Sequence, residues 1–270
     1  MTNKIETIYN TNPENITRAE DLGYLVSFAY FEDFKYASIR QEAENLFRKT
    51  NDIKAVDDFL NGKINAIKAE KYKKQANLSK RFSKRTFDGF NIENEMQKSA
   101  YNKAFEYAKN IKKHIEDGTN MIFVGKGSVG TGKTHLACAI ANNVLEQGIP
   151  VKVINVAVLV DELKEFTSAF KKELKTVKVL LIDDMGKENG TLWLCSEIYG
   201  IINARYENEL PTIITTEGSL KDLEDNYKVE INEKIVNKGV SMISRLTESC
   251  FLAVMVGDDY RKKKGAQCTN

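Results

Sequence analysis

Five short apolar runs punctuate the chain after residue 120: Met121-Ile-Phe-Val124, Val151-Lys-Val-Ile-Asn-Val156, Val177-Lys-Val-Leu-Leu-Ile182, Thr212-Ile-Ile-Thr-Thr216 and Phe251-Leu-Ala-Val-Met-Val256. Two of the three prolines, Pro150 and Pro211, directly precede two of them. Short apolar runs bounded by Gly, Pro or Asp read as strands of a parallel sheet buried on both faces. Longer stretches between them, at about 133–147, 157–174, 191–208 and 220–246, carry apolar residues at helical spacing. Strand and helix alternate from about residue 121 to 257, which predicts a doubly wound α/β domain.

The first part of the chain reads differently. Residues 17–75 hold no convincing strand. Val56, Phe59, Leu60, Ile64 and Ile67 recur at helical spacing, with Asn61-Gly62 as an expected interruption. Tyr24, Phe28, Tyr30, Phe31 and Phe34 crowd an earlier segment and read as core rather than as a binding surface. The expectation is a small all-α N-terminal domain over 1–75, a basic linker and lead-in over 76–93, and a nucleotide-binding domain over 94–270. Lys68, Lys71, Lys73, Lys74, Lys80, Arg81, Lys84 and Arg85 fit either a solvated linker and helix face or a nucleic-acid contact. The charge pattern favours the solvated reading.

Composition narrows the class without choosing a function. Hydrophobic residues make up 42% and charged residues 29% of the 270 positions, an ordinary globular balance. The net charge of +2 imposes no global field. The four cysteines, Cys138, Cys195, Cys250 and Cys268, are scattered, and two histidines accompany them, so neither a zinc site nor a disulfide framework is expected. Met1 to Asn15 is polar and lacks a signal peptide's apolar stretch, and no run of about 18 apolar residues occurs. The reading is a cytoplasmic protein with no membrane partner.

Candidate chemistry sits after the first strand. Gly127-Ser128-Val129-Gly130-Thr131-Gly132-Lys133-Thr134 satisfies G-x-x-x-x-G-K-[ST] in full, between an expected strand and an expected helix. Glycines let backbone N–H groups turn inward around phosphates, and the helix N-terminus adds its dipole. Lys133 is expected to reach the β- and γ-phosphates, and the Thr134 hydroxyl to ligate Mg²⁺. Fifty residues after Lys133, the run Val179-Leu-Leu-Ile182 ends in Asp183-Asp184. Carboxylates at strand ends face the ligand crevice of an open α/β sheet. Asp183 is expected to hold Mg²⁺ through water, and Asp184 to orient or deprotonate the attacking water. Asp183-Asp184-Met185-Gly186 also fits the D-x-x-G of GTP-binding proteins. The one candidate guanine reader, Asn237-Lys238-Gly239-Val240, lacks its Asp, so ATP is the expected nucleotide.

With these pieces in order, the chain resembles the helicase-loader branch of the AAA+ ATPases, the DnaC/DnaI type, which is related to IstB-like ATP-binding proteins. Thr134-His135-Leu136-Ala137, Leu180-Leu-Ile-Asp-Asp-Met-Gly186, Pro211-Thr-Ile-Ile-Thr-Thr216, Ser244-Arg245-Leu246 and Asp259-Tyr260-Arg261 carry the resemblance. The lead-in Arg81-Phe82, Thr86-Phe87 and Phe90-Asn91, followed by Ala100-Tyr101 and Ala104, carries it too. It covers about 81–264. The resemblance implies that Arg245 is an arginine finger donated to a neighbouring subunit's ATP, and that Arg261 is a second cationic sensor of the γ-phosphate. On residues alone, each arginine fits a helix surface or basic tail equally well.

Two departures stand out. Where the family usually has Asn after the Thr-Thr of the fourth strand, this chain has Glu217, beside Thr216. A carboxylate there repels a γ-phosphate unless it is protonated or paired. The segment 161–178 is compact. Lys164, Lys171, Lys172, Lys175 and Lys178 with Phe166 and Phe170 fit a single-stranded DNA contact or an amphipathic helix with a solvated face.

The function implied is an ATPase, slow as a monomer. It forms a homo-oligomer when ATP-bound, takes a replicative DNA helicase hexamer through its N-terminal domain, and helps place it on single-stranded DNA. Two alternatives stay open: an IstB-like transposition helper acting on duplex DNA with a transposase, and an ATP-binding adaptor with little hydrolysis.

Overall fold

The computed structural model describes residues 34–76, 78–165, 168–188, 190–231, 234–260 and 262. The chain divides into two compact units, 1–68 and 69–270. In the first, α1 (Phe34–Thr50) and the part of α2 (Ile53–Gln75) up to residue 68 enclose a small core of Ala43, Phe47, Val56 and Leu60. The expected interruption at Asn61-Gly62 is absent. α2 runs unbroken through Gly62, whose helix cost of about 1 kcal/mol is spread over a 23-residue helix. The aromatic segment 24–31 lies outside the described residues.

The second unit builds the sheet. α3 (Glu95–Lys109) and α4 (Ile111–Asp117) lead into β1 (Asn120–Val124), α5 (Lys133–Glu146) and β2 (Val151–Asn155). α6 (Val156–Glu165) and α7 (Ser168–Thr176) replace the single helix expected over 157–174, and β3 (Val179–Asp183), α8 (Leu192–Glu207) and β4 (Thr212–Thr216) follow. The long helix expected over 220–246 is not formed. In its place stand α9 (Leu220–Asn226), an antiparallel hairpin of β5 (Lys228–Ile231) and β6 (Lys234–Asn237), and α10 (Lys238–Glu248). Ser219 and Asp222 close a capping box that starts α9. β7 (Cys250–Val254) ends the described strands.

Five parallel strands lie in the order β2-β3-β4-β1-β7. Alternate side chains serve opposite faces. Met121, Phe123, Val153 and Leu181 pack with residues of α3 and α5, such as Tyr107 and Ile140. Ile122, Val124, Ile154 and Ile182 pack with residues of α6, α8 and α10, such as Leu159, Ile198 and Met242. Because helices cover both faces, the strands read as continuous apolar runs rather than alternating ones. Cys138 and Cys195 are buried in this core and Cys250 lies at its margin.

The amino-terminal edge of the sheet is closed by a buried cation. Arg205, 1% exposed, donates Nε to Thr212 Oγ1 (3.0 Å) and Nη1 to the carbonyls of Leu174 and Val177 (both 2.9 Å). Its Nη2 donates to the carbonyls of Pro211 (2.7 Å) and Lys178 (3.5 Å). Burial pulls its pKa down to about 9, and the five donations hold the charged form at neutral pH. On the same edge Tyr107 donates to Thr119 O (2.8 Å), and His114 stacks on its ring at 4.6 Å. Both ring nitrogens of His114 are buried without a hydrogen-bond partner, and burial lowers its pKa against the opposing charge of Asp117.

Candidate nucleotide-binding site

The phosphate loop leaves the carboxyl end of β1 and ends at the N-terminus of α5. Gly132 caps that helix at φ 102°, where an added Cβ would come within 2.5 Å of the Phe90 ring. The loop is pinned from three sides. Gly127 N–H donates to Glu217 O (2.6 Å), Gln97 Nε2 to Thr131 O (3.2 Å) and Tyr260 N–H to Gly130 O (3.2 Å). Lys133, 6% exposed, reaches back inside the loop and donates to Ser128 O (2.7 Å) and Thr131 Oγ1 (3.3 Å). Space for it depends on Gly125, where a Cβ would stand 2.6 Å from Nζ. His135, in the first turn of α5, donates Nε2 to Thr86 O (2.8 Å) and accepts from Arg85 through Nδ1 (3.3 Å), so the lead-in segment rests on the loop's own helix.

The acidic pair meets this loop. Thr134 Oγ1 donates to Asp183 Oδ1 at 2.8 Å, and Thr215 Oγ1 donates to the same oxygen at 2.7 Å. Asp183 is 2% exposed. Burial raises its pKa, opposed by the hydrogen bond from Thr215 and reinforced by the charge of Asp184. Asp184 adopts φ 61°, a left-handed conformation that Asp tolerates better than most residues. Its N–H donates to Thr215 Oγ1 (2.9 Å) and its Oδ2 accepts from Asn155 Nδ2 (3.4 Å). The register Asn155↔Asp183 places Asn155 there.

These groups fit a nucleoside triphosphate with a hard cation. The Thr134 hydroxyl and the Asp183 carboxylate are oxygen ligands already in contact. Among the described residues no group of three or more His, Cys, Asp or Glu side chains could cage a metal. A cation held here would take its remaining ligands from phosphate and water, the habit of Mg²⁺.

Glu217 does not stand as a lone carboxylate. Lys187 Nζ lies 2.7 Å from Glu217 Oε1 and 3.2 Å from Asp184 Oδ2. Burial pulls the Lys187 pKa down, but the hydrogen bond to Glu217 and the charge of Asp184 outweigh it, and the net direction is upward. Thr216 is buried and accepts from Gly218 N–H (3.3 Å). Sequence reasoning singled out neither Lys187 nor Asn155, Thr215, Gly125 and Gln97. Thr215 and Asn155 carry the one available signal, a polar residue at the end of an apolar run.

The structure sets Arg245 apart from this chain's own loop. It lines a cleft with Asn120, Thr212 and Ser249, at the amino-terminal edge of the sheet. Its Nη1 donates to Ser241 O (2.9 Å), and its guanidinium lies over the rings of Tyr199 (5.4 Å) and Tyr206 (5.5 Å). Arg261 lies outside the described residues. In the segment 161–178, Phe170 packs against the core and Lys171 pairs with Glu197 at 2.8 Å, as an amphipathic helix requires. Phe166 lies outside the described residues. Among the described residues no helix is long and apolar enough to cross a membrane.

Comparison with known proteins agrees with this geometry. Residues 34–268 match the family described as IstB-like ATP binding protein. The chain is 30% identical to the replicative helicase loader DnaC of Escherichia coli K12 over 145 residues, 51% of this chain and 57% of that protein. It is 29% identical to the replicative helicase loader DnaI of Bacillus subtilis over 143 residues, 50% of this chain and 46% of that protein. The chain thus spans about half the length of these curated relatives. A solved structure of the DnaC helicase loader superposes with a TM-score of 0.55 at 28% identity, covering 66% of this chain and 99% of that one. A five-stranded parallel sheet ordered β2-β3-β4-β1-β7, a complete phosphate loop and an acidic strand end beside it identify the chain as a DnaC-type AAA+ P-loop ATPase, a member of the IstB-like ATP-binding protein family.

Proposed function

We propose that the chain is an ATP-dependent loader of a replicative DNA helicase. The observation that supports the reading is a phosphate-loop motif whose Thr134 meets the strand-end Asp183, in a chain similar to two replicative helicase loaders. Residues 1–75 take the helicase, 76–93 link, and 94–270 bind and hydrolyse ATP. Single-stranded DNA is the second partner, and the ATP-bound form assembles into a homo-oligomer.

Mg²⁺, when bound, supplies charge neutralisation of the phosphates. The chain's own residues do the rest. Backbone N–H groups of 127–132 cradle phosphate oxygens, and Lys133 donates to them in place of Ser128 O and Thr131 Oγ1. Thr134 and Asp183 present the metal ligands. Asp184, held by Asn155 and Lys187, accepts the proton of the attacking water, with Thr216 and Glu217 alongside. Arg245 serves a neighbouring subunit's site, and Arg261 completes the cationic surround of the γ-phosphate.

Co-purification with the cognate helicase in ATP tests the loader reading. Expected is a complex that is lost when 1–75 are removed. A complex that survives the truncation overturns the assignment of that domain. Preference for duplex over single-stranded DNA in a filter-binding assay favours the transposition helper instead. Absence of phosphate release with helicase and DNA present favours the adaptor.

A further inference from the structure

β3 and β4 are neighbours and parallel, so the turn after β3 and the end of β4 emerge side by side. That turn is stiff. Gly186 O accepts from Asn226 Nδ2 (2.9 Å), Gly186 N–H donates to Glu188 Oε2 (2.8 Å), and the other Glu188 oxygen accepts from the buried Tyr227 hydroxyl. Lys187 therefore projects from an anchored backbone. Its ammonium bridges Glu217 (2.7 Å) and Asp184 (3.2 Å). Glu217 is tied to the phosphate loop through its own carbonyl, which accepts from Gly127 N–H. Three carboxylates, Asp183, Asp184 and Glu217, thus border the crevice proposed for a triphosphate. At these separations an uncompensated like charge is costly.

We propose that Lys187 is a positioning residue of the nucleotide site: as the counter-ion shared by Glu217 and Asp184, it allows a carboxylate to stand at the end of β4 and the crevice to accept a γ-phosphate. The inference rests on the ATP-site reading above and adds a selectivity to it. On the proposed site the pair adjoins Asp184, the group assigned to the attacking water, and so stands at the γ end. Loss of Lys187 therefore penalises a triphosphate more than a diphosphate. A side chain that merely held the turn would penalise both alike.

The test compares the full-length wild type with Lys187→Met, Lys187→Arg, Glu217→Asn and the double variant Lys187→Met/Glu217→Asn. Affinities for ATP and ADP are read by displacement of a fluorescent nucleotide, with turnover and melting temperature alongside. Expected is roughly a tenfold weaker ATP affinity in Lys187→Met, the loss of one charge-assisted contact, with ADP changed less than about twofold. Lys187→Arg recovers ATP affinity to within about threefold, because a guanidinium can also pair with a carboxylate. In the Glu217→Asn background, the Lys187→Met loss of ATP affinity shrinks to about threefold or less, since only Asp184 is then left without its counter-ion. Equal losses for ATP and ADP, or an undiminished Lys187→Met effect beside Asn at 217, overturn the inference. Should Lys187→Met fail to fold, Lys187→Gln and the arginine variant carry the same comparison. A wild type that binds ATP through Lys133 while all Lys187 variants match it sinks the inference alone. A wild type that binds no ATP sinks both this and the site.

Discussion

Both ends of the central sheet bury a cation, and they treat it in opposite ways. At the amino-terminal edge, Arg205 donates to oxygens from two separate stretches of chain, 174–178 and 211–212, on either side of α8. At the carboxyl-terminal edge, Lys133 donates to Ser128 and Thr131, five and two residues back along its own loop. The first arrangement ties the fold together across sequence. The second ties a side chain into the segment that, on the proposed ATP site, would exchange those oxygens for a ligand's. Burial alone thus does not distinguish a charge that ties the fold together from one proposed to meet a ligand.

The largest expected effect tests whether the amino edge is only structural. Arg245→Ala should leave ATP binding intact and lower hydrolysis in the assembled state by about 10³-fold or more, the range of arginine fingers elsewhere. Normal hydrolysis by the assembled variant would return Arg245 to the helix surface. Next comes Arg205→Met, which leaves several buried carbonyls without donors and should cost about 3–4 kcal/mol in denaturant unfolding. ATP affinity measured below the transition should not move. If it does, the two edges are coupled and the contrast fails. Lys133→Ala should weaken ATP binding about a hundredfold, from lost charge-assisted hydrogen bonds, while the unfolding midpoint in the absence of nucleotide stays put. Retained affinity would mean that the loop is not the site.

The smallest effect concerns His114. Its pKa is lower in the folded chain than in the unfolded one, so the unfolded state binds the extra proton first. The stability contributed by the neutral ring is present above the ordinary imidazole pKa of about 6.5 and is lost as pH falls through the folded value. His114→Phe should keep the stack on Tyr107, remove two buried ring nitrogens of which only Nδ1 has a charged neighbour, Asp117 at 3.8 Å, and flatten that acid slope, with a change of under about 1 kcal/mol at neutral pH. An unchanged slope between pH 7 and 5 would assign it to other groups.

Much of this was legible in the residues, for reasons that also explain what was not. A sheet covered on both faces writes its strands as continuous apolar runs, so all five were readable. The phosphate loop was readable because cradling phosphate constrains consecutive residues. The hairpin β5–β6 was missed because Lys228-Val-Glu-Ile231 and Lys234-Ile-Val-Asn237 are only four residues each, and helical spacing could be fitted across them. The two-helix form of 157–174 was missed because both halves are helical and only the break between them is not. Lys187 was invisible for a different reason. It meets Glu217 across 30 positions because β3 and β4 are adjacent, a fact of strand order that no local spacing records.

Arg205 has a consequence in time as well as in energy. Its acceptors lie at the end of α7, in the lead to β3 and at the start of β4, so the full set of five bonds can close only after those segments have docked. Interactions completed late are absent from the folding transition state. Removing this side chain should therefore leave the refolding rate nearly unchanged and accelerate unfolding by almost the whole stability loss, making Arg205 a latch on how long the folded chain persists rather than a guide to how fast it forms.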